Sequence, residues 1–260
     1  MDEEPVLLSF GDGIAIITLN RPESLNAASE AMMQALERQV RAAAQLPGLR
    51  VAILTAAGRA FCAGGDLLEF EWSLAAGGTK LIDTMRYNQD VIQMVEDMAV
   101  PVIAAVNGVA VAGGLELMLA CDIILAAEEA SIGDGHSRYG VVPTGGATVR
   151  LIERIGRSRA SELFYTARLV EARTLAQWGL VNEVVPKARL MERSMELALE
   201  ICRRSPETNR HIKSLTANAT QAEARAAQIR AELRHFEQHM GGGDLAAGLA
   251  AFRTKQTPDF

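Results

Sequence analysis

Read for hydrophobic period, the chain begins as a sheet. Val6–Phe10 and Ile14–Leu19 are two β-rich runs around Gly11-Asp12-Gly13, a hairpin pattern. Asn20-Arg21-Pro22-Glu23-Ser24 follows with turn chemistry. Met32, Met33, Leu36, Val40 and Ala44 then recur at helical spacing, which predicts a helix capped by Ser29 and running to about Leu46, where Pro47-Gly48 stops it. Continuous apolar runs come next at Val51–Ala56, Val102–Val106, Asp122–Ala127 and Leu180–Val185. Runs without alternation fit strands covered on both faces. Gly64-Gly65 and Gly113-Gly114 each follow a strand and open a helical segment, and the third strand leads on to Ala130–Gly133. Strands alternating with helices predict an α/β architecture.

From about Lys187 the strand signals disappear. Helical patterns cover Leu190–Arg204, Glu207–Ala219 and Gln221–Met240, and a short helix near Asp244–Phe252 follows Gly241-Gly242-Gly243. The chain therefore divides into a core, residues 1–190, and a helical region, residues 191–260, whose charged helices would cover the core or pack on a neighbouring subunit. Between the strands Val51–Ala56 and Val102–Val106, Glu69–Tyr87 mixes Phe70, Trp72, Leu74, Leu81 and Met85 with a Gly77-Gly78 break. That composition predicts a mobile, mostly apolar pocket wall.

Composition narrows the picture. With 260 residues, 49% of them hydrophobic, the chain can bury one substantial core or a core with an appendage. The apolar stretch Ala99–Ala127 is interrupted by Pro101, Asn107, Gly108, Gly113-Gly114, Glu116 and Asp122, so it reads as buried strand, turn and helix rather than a membrane span. A net charge of -6 disfavours a nucleic-acid footprint. Cys62, Cys121 and Cys202 are far apart with no C-x-x-C pair, which predicts free thiols in a reducing compartment. The start, Met1-Asp2-Glu3-Glu4-Pro5, is acidic where a leader would be basic. A cytoplasmic protein without a targeting segment is the expectation.

Candidate chemistry lies in two glycine-rich turns, Phe61-Cys62-Ala63-Gly64-Gly65-Asp66 and Val111-Ala112-Gly113-Gly114-Leu115-Glu116. Glycine lets a ligand approach the backbone, and a helix start offers unpaired N–H donors. Two such turns can hold an oxyanion; each alone is equally a device for tight strand–helix packing. The phosphate-loop, dinucleotide and G-x-S-x-G patterns are missing. Glu232, His235 and His239 have a spacing that suits a metal but also a solvated helix face; no metal site is expected.

Taken in order, these pieces resemble the enoyl-CoA hydratase/isomerase (crotonase) superfamily over nearly the whole chain. They are Asn20-Arg21-Pro22 with Leu25-Asn26-Ala27, Ala60–Leu67, Pro101–Gly108 leading to Gly113-Gly114, Glu116 and Cys121-Asp122, then Gly140-Val141-Val142-Pro143, and Ala176 with Gly179-Leu180-Val181. The resemblance implies a crotonase-like spiral of stacked ββα units with C-terminal helices that form a homotrimer or a hexamer built as a dimer of trimers. It implies an acyl-CoA thioester substrate, with its oxygen on the N–H groups of Gly65 and Gly113. Coenzyme A contacts are expected near Ser24, Leu25, Ala63, Asp66 and Leu67, and Lys255 is a candidate for a CoA phosphate. Coenzyme A enters as part of the substrate; no other cofactor is implied.

Four residues bear on the reaction. Glu116 stands where the family's first catalytic glutamate is found, and His136 where hydratases carry the second. An imidazole can serve as acid or base, or simply line the pocket. Asp134, two residues earlier, is placed to orient or charge the ring. Thr144 stands where hydratases usually have glycine near the catalytic water. The leading reading is hydration of a 2-enoyl-CoA through a stabilised enolate. The alternatives are C–C hydrolysis, decarboxylation or isomerisation of a branched, cyclic or β-oxo acyl-CoA, and a CoA-ester-binding protein without turnover.

Overall fold

The computed structural model of the protein describes residues 4–218 and 222–258. Met1–Glu3 and the expected helix ends at Ala219 and Gln221 lie outside the described residues. The two first runs form the expected hairpin, β1 (Val6–Gly11) and β2 (Ile14–Leu19), paired antiparallel. Helix α1 (Glu30–Ala44) begins at Ser29, whose Oγ accepts the Met32 N–H at 3.2 Å. Its inner face buries Met32, Met33, Leu36 and Val40.

After α1 the chain repeats one unit three times: a long strand, a short strand, then helix. The first unit is β3 (Val51–Ala56), β4 (Ala60–Cys62), then α2 (Leu67–Ala75) and α3 (Thr79–Glu96). The second is β5 (Val102–Val106), β6 (Val109–Val111) and α4 (Gly113–Leu119). The third is β7 (Ile123–Ala127), β8 (Ser131–Gly133), a 3-10 turn at His136–Tyr139 and α5 (Ala147–Thr166). The long strands join β1 and β2 in one sheet, ordered β1-β2-β3-β5-β7-β10, with β10 at Glu183–Val185. All its pairings beyond the hairpin are parallel. The short strands form a second sheet, β4-β6-β8-β9, with β9 at Val170–Glu171, and α6 (Ala172–Gln177) follows. This is the stacked ββα arrangement expected.

Burial explains the continuous apolar runs. On β3, Ala52 and Leu54 pack into the main core, while Val51 and Ile53 pack beneath α7 (Leu190–Cys202). Helix α7 thus covers the second face of the large sheet, so the helical region starts as a core layer. Helices α8 (Pro206–Asn218), α9 (Ala222–His239) and α10 (Asp244–Thr254) follow. From α9 and α10, Leu233, Phe236, Leu245 and Leu249 form a third cluster with Phe70, Leu81 and Met85. The pocket-wall segment is therefore two helices, α2 and α3, parted at Gly77 and Gly78, both with positive φ. No helix among the described residues is long and apolar enough to cross a membrane.

Candidate active site

The small sheet assembles the site. Its three parallel strands end at the three predicted segments: β4 at Gly64-Gly65, β6 at Gly113 and Glu116, β8 at Asp134 and His136. The pairing of Val111 with Gly133 sets the last two side by side. Sites at the carboxyl ends of parallel strands are a general outcome of such topologies. A cavity of about 900 Å³, counting its open mouth, lies there. Gly65, Gly113, Glu116 and His136 line it, with Ala63, Leu67 and Thr144 on its walls.

Neither the Gly65 nor the Gly113 N–H has a protein acceptor among the described residues. Both glycine turns are sterically tight. A Cβ at Gly65 would meet the Phe70 ring at 2.9 Å, and one at Gly114 would strike the Cys62 carbonyl oxygen. Just before α4, Ala112 sits at φ +52°, ψ -120°. For a residue with a Cβ such a conformation costs about 1–3 kcal/mol, and it persists only when surroundings enforce it. Here the Ala112 N–H donates to the Asp134 carbonyl at 2.8 Å, which locks the two turns together.

The two acid–base candidates are each held by one atom and free at another. Glu116 is 3% exposed; its Oε1 accepts the Gly145 N–H at 2.7 Å and the Ala147 N–H at 3.4 Å. His136 is buried too, with Nδ1 2.9 Å from Asp134 Oδ1 and its backbone N–H donating to Oδ2 at 3.2 Å. The remaining atoms, Glu116 Oε2 and His136 Nε2, face each other at 3.9 Å. That gap is beyond a direct hydrogen bond. Burial lifts the Glu116 carboxyl to about 7; the His136 charge and the Gly145 N–H pull it down, and the Glu232 carboxylate pushes it up. Burial alone would lower the His136 imidazolium, but the adjacent Asp134 carboxylate, aided by Glu116 and Glu232, outweighs it and raises the ring to about 9. Near neutral pH the imidazole is therefore protonated beside a carboxyl poised to ionise.

The loop 144–148 that holds Glu116 is itself clamped from outside. Glu232 on α9 accepts from the Gly146 N–H (2.5 Å), the Thr148 N–H (2.8 Å) and the Thr148 hydroxyl (2.5 Å). Burial raises the Glu232 carboxyl above its ordinary range, while these three donors, all bonding it as an acceptor, work in the opposite direction and favour the ionised form. Two carboxylates, Glu116 and Glu232, thus meet the N-terminus of α5, where the helix dipole favours negative charge. Arg150 is buried, bonds the Gly145 carbonyl and pairs with Glu96 at 2.7 Å. Gln89 donates to the Thr144 carbonyl at 2.5 Å. On the other side, His239 bonds the Gly140 carbonyl, and Phe252 packs edge-on to Tyr139 with centroids 5.6 Å apart. Glu232 therefore corrects the solvated-face reading of its helix: it is buried, while His235 on the same helix is exposed. Sequence reasoning missed its role and that of Arg150; Glu232 lies more than 80 residues from its partners and Arg150 54 residues from Glu96, which leaves no local signal.

Of the other predicted residues, Ser24, Leu25, Asp66 and Lys255 do not line the cavity. The Leu25 carbonyl accepts the Ala63 N–H at 3.1 Å, joining the first turn to the glycine loop. Buried Asn26 holds that turn, donating to the carbonyls of Ala57 and Ala60 at 2.9 Å. Ser24 lies near Arg21, which also approaches Asp66 at 3.9 Å. Asp66 caps α2 through the Leu68 N–H at 3.2 Å. Lys255 ends α10 in the left-handed region and is not brought to the cavity. Thr144 turns its hydroxyl toward Met85 Sδ at 3.6 Å. Among the described residues no group of three His, Cys, Asp or Glu is arranged to hold a metal.

Residues 9–260 match the family model described as enoyl-CoA hydratase/isomerase. The chain is similar to 2,3-dehydroadipyl-CoA hydratase of Escherichia coli, 34% identical over 98% of each chain. It is also similar to mevalonyl-coenzyme A hydratase of Aspergillus fumigatus, 32% identical over 95% of this chain and 91% of that one. A solved structure of enoyl-CoA hydratase from Bacillus anthracis is 34% identical, covers 98% of each chain and superposes with a TM-score of 0.79.

Proposed function

This chain belongs to the enoyl-CoA hydratase/isomerase family of enzymes, and we propose that it adds water across the α,β double bond of a 2-enoyl-CoA. The observation that carries the reading is the pair of free atoms facing each other across 3.9 Å, one on a carboxyl poised to ionise and one on a protonated imidazole. Hydration needs one base and one acid, and groups whose environments push their pKa values apart are suited to those roles.

In this mechanism the thioester oxygen lies between the unpaired N–H groups of Gly65 and Gly113. Glu116 Oε2 takes a proton from water as the water oxygen bonds to the β-carbon. The π electrons move through the α-carbon to the carbonyl oxygen, and the two N–H donors stabilise the enolate. The enolate collapses and the α-carbon takes the proton from His136 Nε2. The proton on Glu116 then crosses to His136 and resets the pair. Asp134 positions the ring and holds its charge. The strained Ala112 keeps the Gly113 donor in register with it.

The CoA portion lies along the rim of Ser24, Leu25, Ala63, Asp66 and Leu67, with Lys255 as a candidate for a phosphate. Coenzyme A is the handle of the substrate, and no further cofactor enters the mechanism. Assembly as a homotrimer or a dimer of trimers is supported by apolar side chains left bare on α8, Ile212 and Leu215. A cytoplasmic location is supported by three free cysteines, two of them buried.

The test is hydration of crotonyl-CoA, followed as loss of the conjugated thioester absorbance. The wild type is expected to hydrate it, and Glu116→Gln to lose about 10²–10⁴-fold in kcat, the contribution of a positioned general base. Full activity in Glu116→Gln sinks the mechanism. Steady release of free CoA in place of hydration moves the reaction to thioester hydrolysis.

A further inference from the structure

We propose that helix α10 positions His136, through Gly248 set directly against the backbone of the His136 turn and Phe252 set against the Tyr139 ring. The proposal rests on the hydratase reading above, in which His136 protonates the α-carbon.

Only proline is a poorer helix former than glycine, yet Gly248 stands buried in the second turn of α10. Close approach supplies the reason. A Cβ there would strike the Tyr139 carbonyl group and lie 2.9 Å from the Tyr139 Cα. From the other side of the same contact, a Cβ at Gly140 would strike the Asp244 carbonyl and lie 3.1 Å from the Leu245 nitrogen. Helix and turn thus meet main chain to main chain at two positions. Phe252, four residues after Gly248 and so on the same helix face, packs edge-on to the Tyr139 ring. The turn itself is short and closed. The Arg138 N–H donates to the Gly135 carbonyl at 3.3 Å and the Val141 N–H to the His136 carbonyl at 3.1 Å. A displacement of Tyr139 therefore reaches His136 within one turn.

Asp134, the partner of the ring, is held by a different part of the molecule. Its carbonyl accepts the Ala112 N–H at 2.8 Å, which ties it to the end of β6. The bond from His136 Nδ1 to Asp134 Oδ1, 2.9 Å long, therefore spans a turn seated on α10 and a residue seated on the small sheet. Its length is already favourable, so movement of the turn in any direction weakens it. The carboxylates facing the ring are Asp134 after β8, Glu116 on α4 and Glu232 on α9. The charged residues of α10 are occupied elsewhere: Asp244 is exposed, and Arg253 pairs with Glu71 on α2 at 2.7 Å. The helix acts on His136 through position. Contacts of ordinary length ask for about 3.3 Å, so an alanine at 248 must part helix and turn by roughly 1 Å. A misplacement of about that size can cost about a hundredfold in rate.

The experiment compares Gly248→Ala and Phe252→Ala with the wild type in the full chain. Gly243→Ala, a position just before α10 where a Cβ meets nothing within 4 Å, is the control. Two quantities are read: kcat and KM on crotonyl-CoA, and the titration of the His136 ring by NMR with labelled histidine. The chain has four histidines, and His136→Ala identifies the signal. Gly248→Ala is expected to lower kcat about tenfold to a hundredfold with KM within about twofold. The ring's titration midpoint should fall by about half a pH unit or more as the Asp134 carboxylate loses its hold. Phe252→Ala should move both in the same direction by less, and Gly243→Ala should move neither. A folded Gly248→Ala with the wild-type titration overturns the proposal, whatever its activity. If Gly248→Ala fails to fold, Phe252→Ala decides, and an unmoved midpoint there overturns the proposal. Failure of the wild type to hydrate crotonyl-CoA removes the hydratase reading, while the titration still tests whether α10 sets the ring.

Discussion

The turns after β4, β6 and β8 reach the cavity from inside the ββα spiral, and each brings a group with capacity to spare: the N–H of Gly65, the N–H of Gly113 with Glu116 Oε2, and His136 Nε2. Helices α9 and α10 reach the segment after β8 from outside, and there Glu232 is saturated by three donors while His239 and Phe252 are engaged with Gly140 and Tyr139. The spiral presents chemistry and the C-terminal helices supply support. A group that must exchange protons needs an open valence. A group that must hold a loop works best when none remains, because a half-satisfied buried network is a source of motion and cost.

The contrast can be broken from either side. The largest expected effect is on the spiral side. His136→Ala removes the proton donor and should cut kcat on crotonyl-CoA by about 10²-fold or more, with a thermal midpoint close to wild type. A collapse of the midpoint together with activity would make His136 a support instead.

Next is Asp134→Asn. Losing the carboxylate removes the main force raising the His136 pKa. The wild-type profile should rise with pH as Glu116 ionises near 7 and fall as His136 deprotonates near 9. In the variant the alkaline limb should move to lower pH. The charge-assisted bond is worth about 1.5–3 kcal/mol, or roughly tenfold to a hundredfold in kcat. An unmoved alkaline limb would detach that limb from His136.

The smallest effect belongs to the outer region. Glu232→Gln keeps one oxygen for the Thr148 or Gly146 donors but puts an NH₂ against another. Activity should fall about tenfold or less, the effect of a single hydrogen bond, and the thermal midpoint should drop by a few degrees. Because Glu232 carries charge near both reactive groups, its loss should move both limbs of the pH profile to lower pH. A drop in midpoint with no movement of the limbs would leave Glu232 as a clamp with no electrostatic influence.

What could be read from the sequence follows the same division. The long strands were legible because Val51–Ala56 and Val102–Val106 are continuous apolar runs buried on both faces. The short strands Ala60–Cys62 and Val109–Val111 were not, since three residues beside glycine carry no period. Helix α5 escaped because it is rich in arginine and breaks at Gly156, where φ is +76°. The glycine turns were found as local motifs and Glu116 and His136 through the family resemblance, and the cavity brings them together. Glu232 and Arg150 were missed because the carboxyl bonds donors more than 80 residues away and the guanidinium pairs with Glu96, 54 residues away, and Leu180–Val185 shortens to Glu183–Val185 once pairing with β7 is imposed.

One feature of the small sheet bears on how such a protein can change over generations. In the proposed mechanism the turns after β4 and β6 offer the substrate oxygen their main-chain amides, which every residue but proline possesses. A single codon change there alters shape without deleting a donor. The turn after β8 contributes through a side chain, and one codon change replaces the imidazole outright. On that mechanism the capacity to hold an enolate is inherited with the backbone, while the choice of proton donor stays open to rapid variation.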